Sequence, residues 1–383
     1  MKKISVKVKS KSHKYDIKIG GNLLKNCGNW AQKCLKNSSK AALISNAKVF
    51  RLYGESVKKS LEKEGFEVFV WLMGDGEKYK NFNSLKNALD FFSEKKLTRT
   101  DAVVALGGGV VGDLSGFAAS VYLRGISFLL IPTTLLSMID SSVGGKTGVN
   151  SSFGKNLIGA FYQPKGVLID VETLKTLPKR ELTGGFCEAV KQGVIADKKL
   201  FNQTAQFLKN YSPNQFKQYF FKEKFISELE KLIAAQVAFK ALIVSNDERE
   251  SVNRTDAKSR KILNFGHTVA HALEKITEYK YFKHGEAVGY GILVAAEIAK
   301  NIDIFDKDAL KSLNDVVVLV GKLPTAHNLK VEKIIEAFDF DKKSINKSLQ
   351  WILLEEIGKP KIVEGTGISP TIIQQTLKKV LEK

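Results

Sequence analysis

Apolar and polar residues alternate at Ile4, Val6 and Val8, and again at Tyr15, Ile17 and Ile19. The alternation predicts two short strands around a polar turn. After that, short apolar runs take turns with helical spacing. AALIS (41–45), EVFVWLM (67–73), DAVVALGG (101–108), SFLLIPT (127–133) and GVLID (166–170) read as strands. RLYGESVKKSLEKEG (51–65), which stops at a glycine, and NSLKNALDFFSEKKL (83–97) read as helices. Strands alternating with helices imply parallel pairing through βαβ units, so residues 1–178 are expected to form an α/β domain. Beyond Pro178 the pattern changes. Helical spacing covers 181–197, 199–210, 223–245, 264–277, 285–302, 307–320, 331–338 and 370–382, and only LQWILLEEIG (349–358) is strand-like. Residues 179–383 are expected to form a mainly helical second domain, with the boundary near TLPKRELTGG (176–185). The cleft between the two is the expected place for a site.

Composition narrows the class. With 383 residues, 44% hydrophobic and 26% charged, the chain is globular rather than disordered. Three cysteines (Cys27, Cys34, Cys187), none in a CxxC pair, exclude a disulfide scaffold and a thiolate zinc site. The most apolar stretch, 117–139, is broken by Arg124 and Pro132, so no membrane span is expected. The N-terminal MKKISVKVKSKSHKYD lacks an apolar core of a secretory signal, which makes the expected address cytoplasmic. The formal charge of +20 raises the question of a nucleic-acid partner. Only seven of the 60 cations are arginine, and the lysines sit among acids, as in KKSLEKEG and SEKKLTRTD. Solvated helix faces explain that pattern, and neither nucleic acid nor membrane is expected as a partner.

Three regions carry candidate chemistry. The strand DAVVALGG runs into GGGVVGD (107–113), which opens a helix. Glycines there let backbone approach a pyrophosphate and aim helix N–H groups at it, although a tight strand-to-helix turn would use the same residues. The glycine spacing is not GxGxxG. A second glycine-rich segment, DSSVGGKTGVNSSFGKNLIGAF (140–161), carries Lys146, Lys155 and Asn156 and reads as a lysine-bearing loop facing an anion. It contains Gly145-Lys146-Thr147, but Asp140 stands where a P-loop needs its first glycine, which rules out that motif. Third, of five histidines, three fall close together in NFGHTVAHALE (264–274) and KHGEAVGYG (283–291). His267 and His271 share a helix face, but Thr268 follows His267, so this is not HExxH. Imidazoles with a carboxylate make a good zinc set with an open position, and Glu188, in the apolar segment GGFCEAVKQGVI, is the candidate carboxylate. Lys191 lies one turn on. The residues alone do not choose between His267 and His271.

Taken in order, GGGVVGDLSGFAASVYLRG, IPTTLLSMIDSSVGGKTGVN, GKNLIGAFYQP, GGFCEAVKQG, KILNFGHTVAHALE and KHGEAVGYG resemble the 3-dehydroquinate synthase family of sugar-phosphate cyclases, over residues 75–358. The resemblance implies a Rossmann-like, dinucleotide-binding α/β N-terminal domain and a mainly α-helical C-terminal domain for metal and substrate. It implies an NAD- and zinc-dependent lyase, with Co2+ as the alternative metal, acting on 3-deoxy-D-arabino-heptulosonate 7-phosphate. The family's metal ligands fall on Glu188, His267 and His284, which leaves His271 to the phosphate or to proton transfer. Its NAD contacts fall on Asp75, Gly76, Glu77, Lys78, Tyr79 and Lys80, then on Gly108, Gly109, Val110, Val111, Gly112 and Asp113. They continue on Thr133, Thr134, Thr173, Leu174, Lys175 and Thr176, with Lys146 and Lys155 alongside. Asn46 stands where the family often has an Asp by the ribose. Substrate positions fall on Asp140, Lys146, Asn156, Lys191, Lys240, Glu250, Arg260, Asn264 and His271, joined by Lys342 or Lys343. Arg124, in YLRG, matches an arginine that reaches the neighbouring subunit's site, which implies a homodimer.

In that chemistry NAD transiently oxidises the C5 hydroxyl, phosphate leaves by β-elimination, hydride returns, and an intramolecular aldol step closes the ring. The lysines, Arg260 and His271 suit a substrate with a phosphate and a carboxylate. The substrates of other sugar-phosphate cyclases, the alternative reading, lack the carboxylate, and a metal-dependent polyol dehydrogenase would accumulate NADH. One departure stands out. Family members commonly run DExExGxR directly into LNxGHT. Here DERESVNRTDAKSRKILNFGHT holds about six extra residues between Glu250 and Arg260, which leaves Arg254 as the alternative to Arg260.

Overall fold

The apolar runs of the first 170 residues meet in one parallel sheet. Its strands are β1 (Ile17–Gly20), β2 (Lys40–Asn46), β3 (Glu67–Met73), β4 (Ala102–Gly107), β5 (Ser127–Pro132) and β8 (Gly166–Asp170), in the order β1-β8-β5-β4-β2-β3. Every neighbouring pair is parallel. The computed structural model describes residues 14–345 and 349–382, the side chains of 339–345 excepted. The strand expected around Ile4, Val6 and Val8 lies outside the described residues, as do the side chains of Lys342 and Lys343.

The runs are continuous rather than alternating because both faces of the sheet are covered. Ile44, Val103, Phe128 and Ile169 point into one core, which continues into the helical half of the chain. Leu43, Val104, Leu129 and Leu168 point into a second core under the helices Cys27–Cys34 and Glu55–Lys63. From β2 the chain moves outward to β3, then crosses back to β4 on the other side of β2. The loops after β2 and β4 therefore diverge. The crevice that opens between them is where open α/β sheets bind ligands.

The glycine-rich segment 140–161 is not a loop. It forms an antiparallel hairpin of β6 (Lys146–Ser151) and β7 (Gly154–Phe161), laid across the helix Gly109–Val121. Glycine is required by contact here: a Cβ on Gly116 of that helix would come within 2.5 Å of Thr147 Cγ2.

The second half follows the expected helices: Lys179–Ala196, Lys198–Asn210, Glu223–Asn246, His267–Ile276, His284–Asn301, Lys307–Leu319, Val331–Ile345 and Pro370–Leu381. Two boundaries differ. The helix expected from 264 starts at His267, because Gly266 has φ +79° and breaks it from the 3-10 turn Arg260–Asn264. The helix expected over 331–338 runs on to Ile345. The strand-like segment forms β9 (Gln350–Glu356), paired antiparallel with β10 (Lys359–Glu364). β10 has no clear sequence signal, since KPKIVE carries Pro360 and two lysines, and the pairing register shifts at Lys359/Pro360. Among the described residues, no helix is long and apolar enough to cross a membrane.

Three helices of this half touch backbone to backbone. A Cβ on Gly285 would lie 2.1 Å from Gly184 O, and one on Gly291 would lie 1.9 Å from Gly266 O. Neither obstacle is a movable side chain. Gly285→Ala is expected to force the helices apart at a cost of about 1–3 kcal/mol, read as a Tm lowered by roughly 1–4 °C. An unchanged melting curve would show that the contact can relax.

Candidate active site

Most of the residues read as nucleotide contacts follow the carboxyl ends of parallel strands. Asn46 ends β2, caps the short helix Ala47–Val49 by accepting from Val49 N (2.9 Å), and donates to Asp75 Oδ1 (3.2 Å) beyond β3. Gly107 ends β4, and Gly108 is the N-cap of Gly109–Val121 without any capping side chain. Cβ atoms on Gly108 and Gly109 would lie 3.1 Å from Thr134 Cγ2 and 3.1 Å from Ser141 Oγ, so bare backbone lines this part of the crevice. Lys80, almost fully buried, spans the site: its Nζ lies 2.5 Å from Asp113 Oδ2 and 2.5 Å from Asn156 Oδ1. Burial pushes the Asp113 carboxyl up, against the pull of Lys80. Glu77 accepts from Asn150 Nδ2 (2.7 Å), which ties the 75–80 segment to the hairpin. Some expected positions look elsewhere. Leu174 is in the core, Lys175 lies 4.5 Å over the Phe221 ring, and the Thr173 hydroxyl donates to Asp170 O.

At the centre of the helical half stands Glu188, with no exposed surface. Neither carboxylate oxygen receives an aligned hydrogen bond, although Lys191 Nζ lies 2.6 Å from Oε2. Facing Oε1 are His284 Nε2 at 3.5 Å and His267 Nε2 at 3.9 Å. Ligand atoms of these three residues all lie within 4.8 Å of one another. The Nδ1 atoms turn away, towards Phe265 O (3.3 Å) in His267 and Glu274 Oε2 (3.1 Å) in His284. Each ring thus has an acceptor at Nδ1 that favours a free Nε2 lone pair. Burial, aided by the Lys191 charge, pushes His267 well below the ordinary histidine range and keeps it neutral. A buried carboxylate and two imidazoles fit Zn2+ or Co2+. The structure thus separates His267 from His271, whose ring lies 5.4 Å from that of His267 but outside the ligand cluster.

A polar wall continues from this cluster. Lys240 Nζ donates to Asp140 Oδ1 (2.6 Å) and to the Asp140 carbonyl. Burial alone would raise the Asp140 carboxyl, but Lys240 and Lys191 hold it far below the usual range. Burial lowers the Lys240 ammonium to about 8, against the pull of Asp140. Glu250 pairs with Lys146 and accepts from Asn264 Nδ2 (3.1 Å).

Arg260 is buried and donates to Glu248 O (2.7 Å) and Gly144 O (3.1 Å). Arg254 instead pairs with Asp256 at 2.7 Å near the surface. The extra residues are looped out by Asp247, whose two oxygens accept from Ser251 N (2.8 Å) and Arg260 N (2.9 Å). The insertion therefore leaves Glu250 and Arg260 on the same wall.

Arg124 lies apart from all of these. Leu123, Arg124 and Gly125 all have positive φ (49°, 67° and 115°), which lifts the arginine out to solvent.

Two site residues escaped the sequence reading. Glu286, buried, accepts two bonds from Arg180 (2.7 and 2.6 Å) and one from Lys283 N (2.8 Å), anchoring the start of the helix that carries His284. Glu274 holds His284 and, through its other oxygen, Lys155 (2.9 Å). Its signal was present in the spacing 267, 271, 274, which puts all three on one helix face.

Comparison with known proteins gives the same answer along the chain. A family model described as 3-dehydroquinate synthase N-terminal matches residues 70–184, and one described as 3-dehydroquinate synthase C-terminal matches residues 185–344. The 3-dehydroquinate synthase of Rippkaea orientalis is 39% identical over 375 residues, covering 98% of each chain. That of a Nostoc species is 43% identical over 327 residues, covering 85% of this chain and 86% of its own. Among solved structures, 2-epi-5-epi-valiolone synthase from Streptomyces hygroscopicus subsp. jinggangensis 5008, with NAD+ and Zn2+ bound, superposes with a TM-score of 0.84. It is 24% identical and covers 99% of each chain, a likeness of fold.

The Asp140–Lys240 pair has a pH signature. A carboxyl with a depressed folded pKa contributes stability above its ordinary value, near 4, and loses it as pH falls. Asp140→Asn removes that contribution and strands a buried ammonium, at a cost of roughly 3 kcal/mol near neutral pH. The gap between wild type and variant in urea unfolding, measured with a chelator present, is expected to shrink steadily below pH 4. A gap that does not change with pH would refute the coupling.

Proposed function

Because the chain belongs to the 3-dehydroquinate synthase family, we propose that it converts 3-deoxy-D-arabino-heptulosonate 7-phosphate to 3-dehydroquinate and phosphate. The observation that carries the reading is the buried, hydrogen-bond-poor Glu188 carboxylate facing two imidazoles beside a cationic wall. Such a carboxylate is costly unless a cation completes it. We take Glu188, His267 and His284 as the ligands of a Zn2+ ion, with Co2+ as the alternative, and the crevice at Asn46, Asp75–Lys80 and Gly108–Asp113 as the NAD site. Residues 1–178 then serve the nucleotide and lend Asp140, Lys146 and Asn156 to the substrate, and residues 179–383 hold the metal and the rest of the substrate site.

When bound, NAD supplies reversible hydride transfer at C5, and the divalent ion supplies Lewis acidity at the same carbon's oxygen. The chain's own residues bind and orient. Lys191, Lys240, Asn156 and Arg260 present cations and amide donors to the substrate's carboxylate and phosphate. Burial makes these contacts stronger than they would be in water. Asp140 keeps the Lys240 ammonium aimed inward, and Glu250 does the same for Lys146 and Asn264. His271, on the face next to the metal ligands, serves the phosphate oxygens. The hairpin carrying Lys146 and Asn156 covers the crevice and limits water. Thr133 and Thr134, just after β5, complete the nucleotide side, whereas Thr173, Leu174 and Lys175 are engaged elsewhere. Arg124, on its left-handed turn, is the residue offered to a second subunit in a homodimer.

Three experiments test this reading. Purified protein is expected to release phosphate from the heptulosonate phosphate in a chelator-sensitive manner, with no build-up of NADH absorbance. His267→Ala is expected to lose bound zinc and activity together, and an active, metal-free variant would refute the assignment. Arg260→Lys is expected to raise KM about tenfold, the loss of one charge-assisted contact of about 1.4 kcal/mol. Arg254→Ala is expected to leave KM within about twofold. The reverse ranking would move the anion contact to the insertion.

A further inference from the structure

Glu274 has no part in the reading above, yet it is a nearly fully buried carboxylate beside the metal-ligand cluster. A buried carboxylate must be paired on both oxygens or it destabilises the fold. Its two partners come from different parts of the chain. Oε2 lies 3.1 Å from His284 Nδ1, and Oε1 lies 2.9 Å from Lys155 Nζ on β7. His284 is on the next helix, while Lys155 sits beside Asn156 on the β6–β7 hairpin. On its own helix Glu274 is seven residues from His267, on the same face.

We propose that Glu274 is the positioning residue of the metal site. Its carboxylate accepts the Nδ1 proton of His284, so that Nε2 faces Glu188, and its second oxygen ties that ligand to the hairpin through Lys155. The inference rests on reading Glu188, His267 and His284 as metal ligands. The contrast with His267 sharpens it. There the Nδ1 partner is a neutral backbone carbonyl of the same chain segment, which no side-chain substitution removes. At His284 the partner is an anion, which orients the ring and also makes the imidazole a stronger donor to a metal. Lys155 holds the same carboxylate from the other side and also lies 4.3 Å from the Tyr279 ring centroid. A shift of the hairpin therefore reaches a metal ligand through one carboxylate.

The test is zinc affinity by chelator competition on the full chain, wild type against Glu274→Gln, with the visible spectrum of the cobalt-loaded proteins alongside. Glutamine keeps the shape and removes the charge. The dissociation constant is expected to rise about 10–100-fold, the range for loss of such a partner, and the cobalt bands are expected to shift. A variant that binds zinc within twofold of wild type with an unchanged cobalt spectrum, even with a lowered Tm, would show a packing role only and overturn the inference. Wild-type protein that takes up no zinc would overturn the metal-site reading itself, and this inference with it. Should Glu274→Gln not fold, imidazole 15N spectra of the wild-type protein decide. His284 protonated at Nδ1 and bare at Nε2 is the expected tautomer, and the opposite tautomer overturns the proposal.

Discussion

A carboxylate with no exposed surface and no aligned hydrogen bond is the constraint around which the helical half is arranged. Glu188 sits in the middle of an 18-residue helix, Lys179–Ala196, whose interior is almost entirely buried. Lys191, three residues on, supplies one positive charge, but its approach satisfies neither oxygen geometrically. The helices bearing His267 and His284 bring two Nε2 atoms to the same oxygen. Electrostatics then spreads outward in alternating sign: Glu188 to Lys191, Asp140 to Lys240, Glu250 to Lys146, and Glu274 between His284 and Lys155. Each carboxylate of this series has a cationic or imidazole neighbour.

Glycine makes this convergence possible. The three helices carrying Glu188, His267 and His284 approach so closely that Gly184 meets Gly285 and Gly266 meets Gly291 through backbone atoms. A side chain at either crossing would separate the helices and pull the imidazoles away from Glu188. Gly266 has a second task, since its left-handed backbone ends the 3-10 turn and starts a new helix at His267. The polar cluster and the glycine contacts are therefore two sides of one packing solution.

The sheet meets the same site from the other direction. Divergence of the chain between β2 and β4 opens the crevice, and the turn at Gly107–Gly109 lines it with bare backbone at a helix N-terminus. The hairpin β6–β7 then joins the two halves. It is tied to the 75–80 segment by Glu77 and Lys80, to the polar wall by Lys146, and to the helix bearing His267 by Lys155. The core on one sheet face runs unbroken into the helical half, so the two halves share apolar packing as well as the site.

The sequence by itself determined the elements and their chemistry. Continuous apolar runs marked the strands β2, β4, β5 and β8, because strands buried on both faces carry their signal locally, and the apolar run of β3 marked it too although it lies at the sheet edge. Helical spacing and the cluster of rare histidines marked the second half, and ordered motifs pointed to the family. Tertiary structure decided what depends on pairing at a distance. The segment 140–161 is a hairpin because β6 and β7 pair with each other over a helix, and glycine-rich composition does not encode that partner. β10 exists because β9 offers it an edge. Arg260 rather than Arg254 faces the wall because Asp247 closes the insertion behind it. His267 rather than His271 faces Glu188 because of how its helix is set against two others. Glu274 acquired a role only when folding put His284 and Lys155 on its two oxygens, since the charge balance of a buried carboxylate is set by neighbours that are remote along the chain.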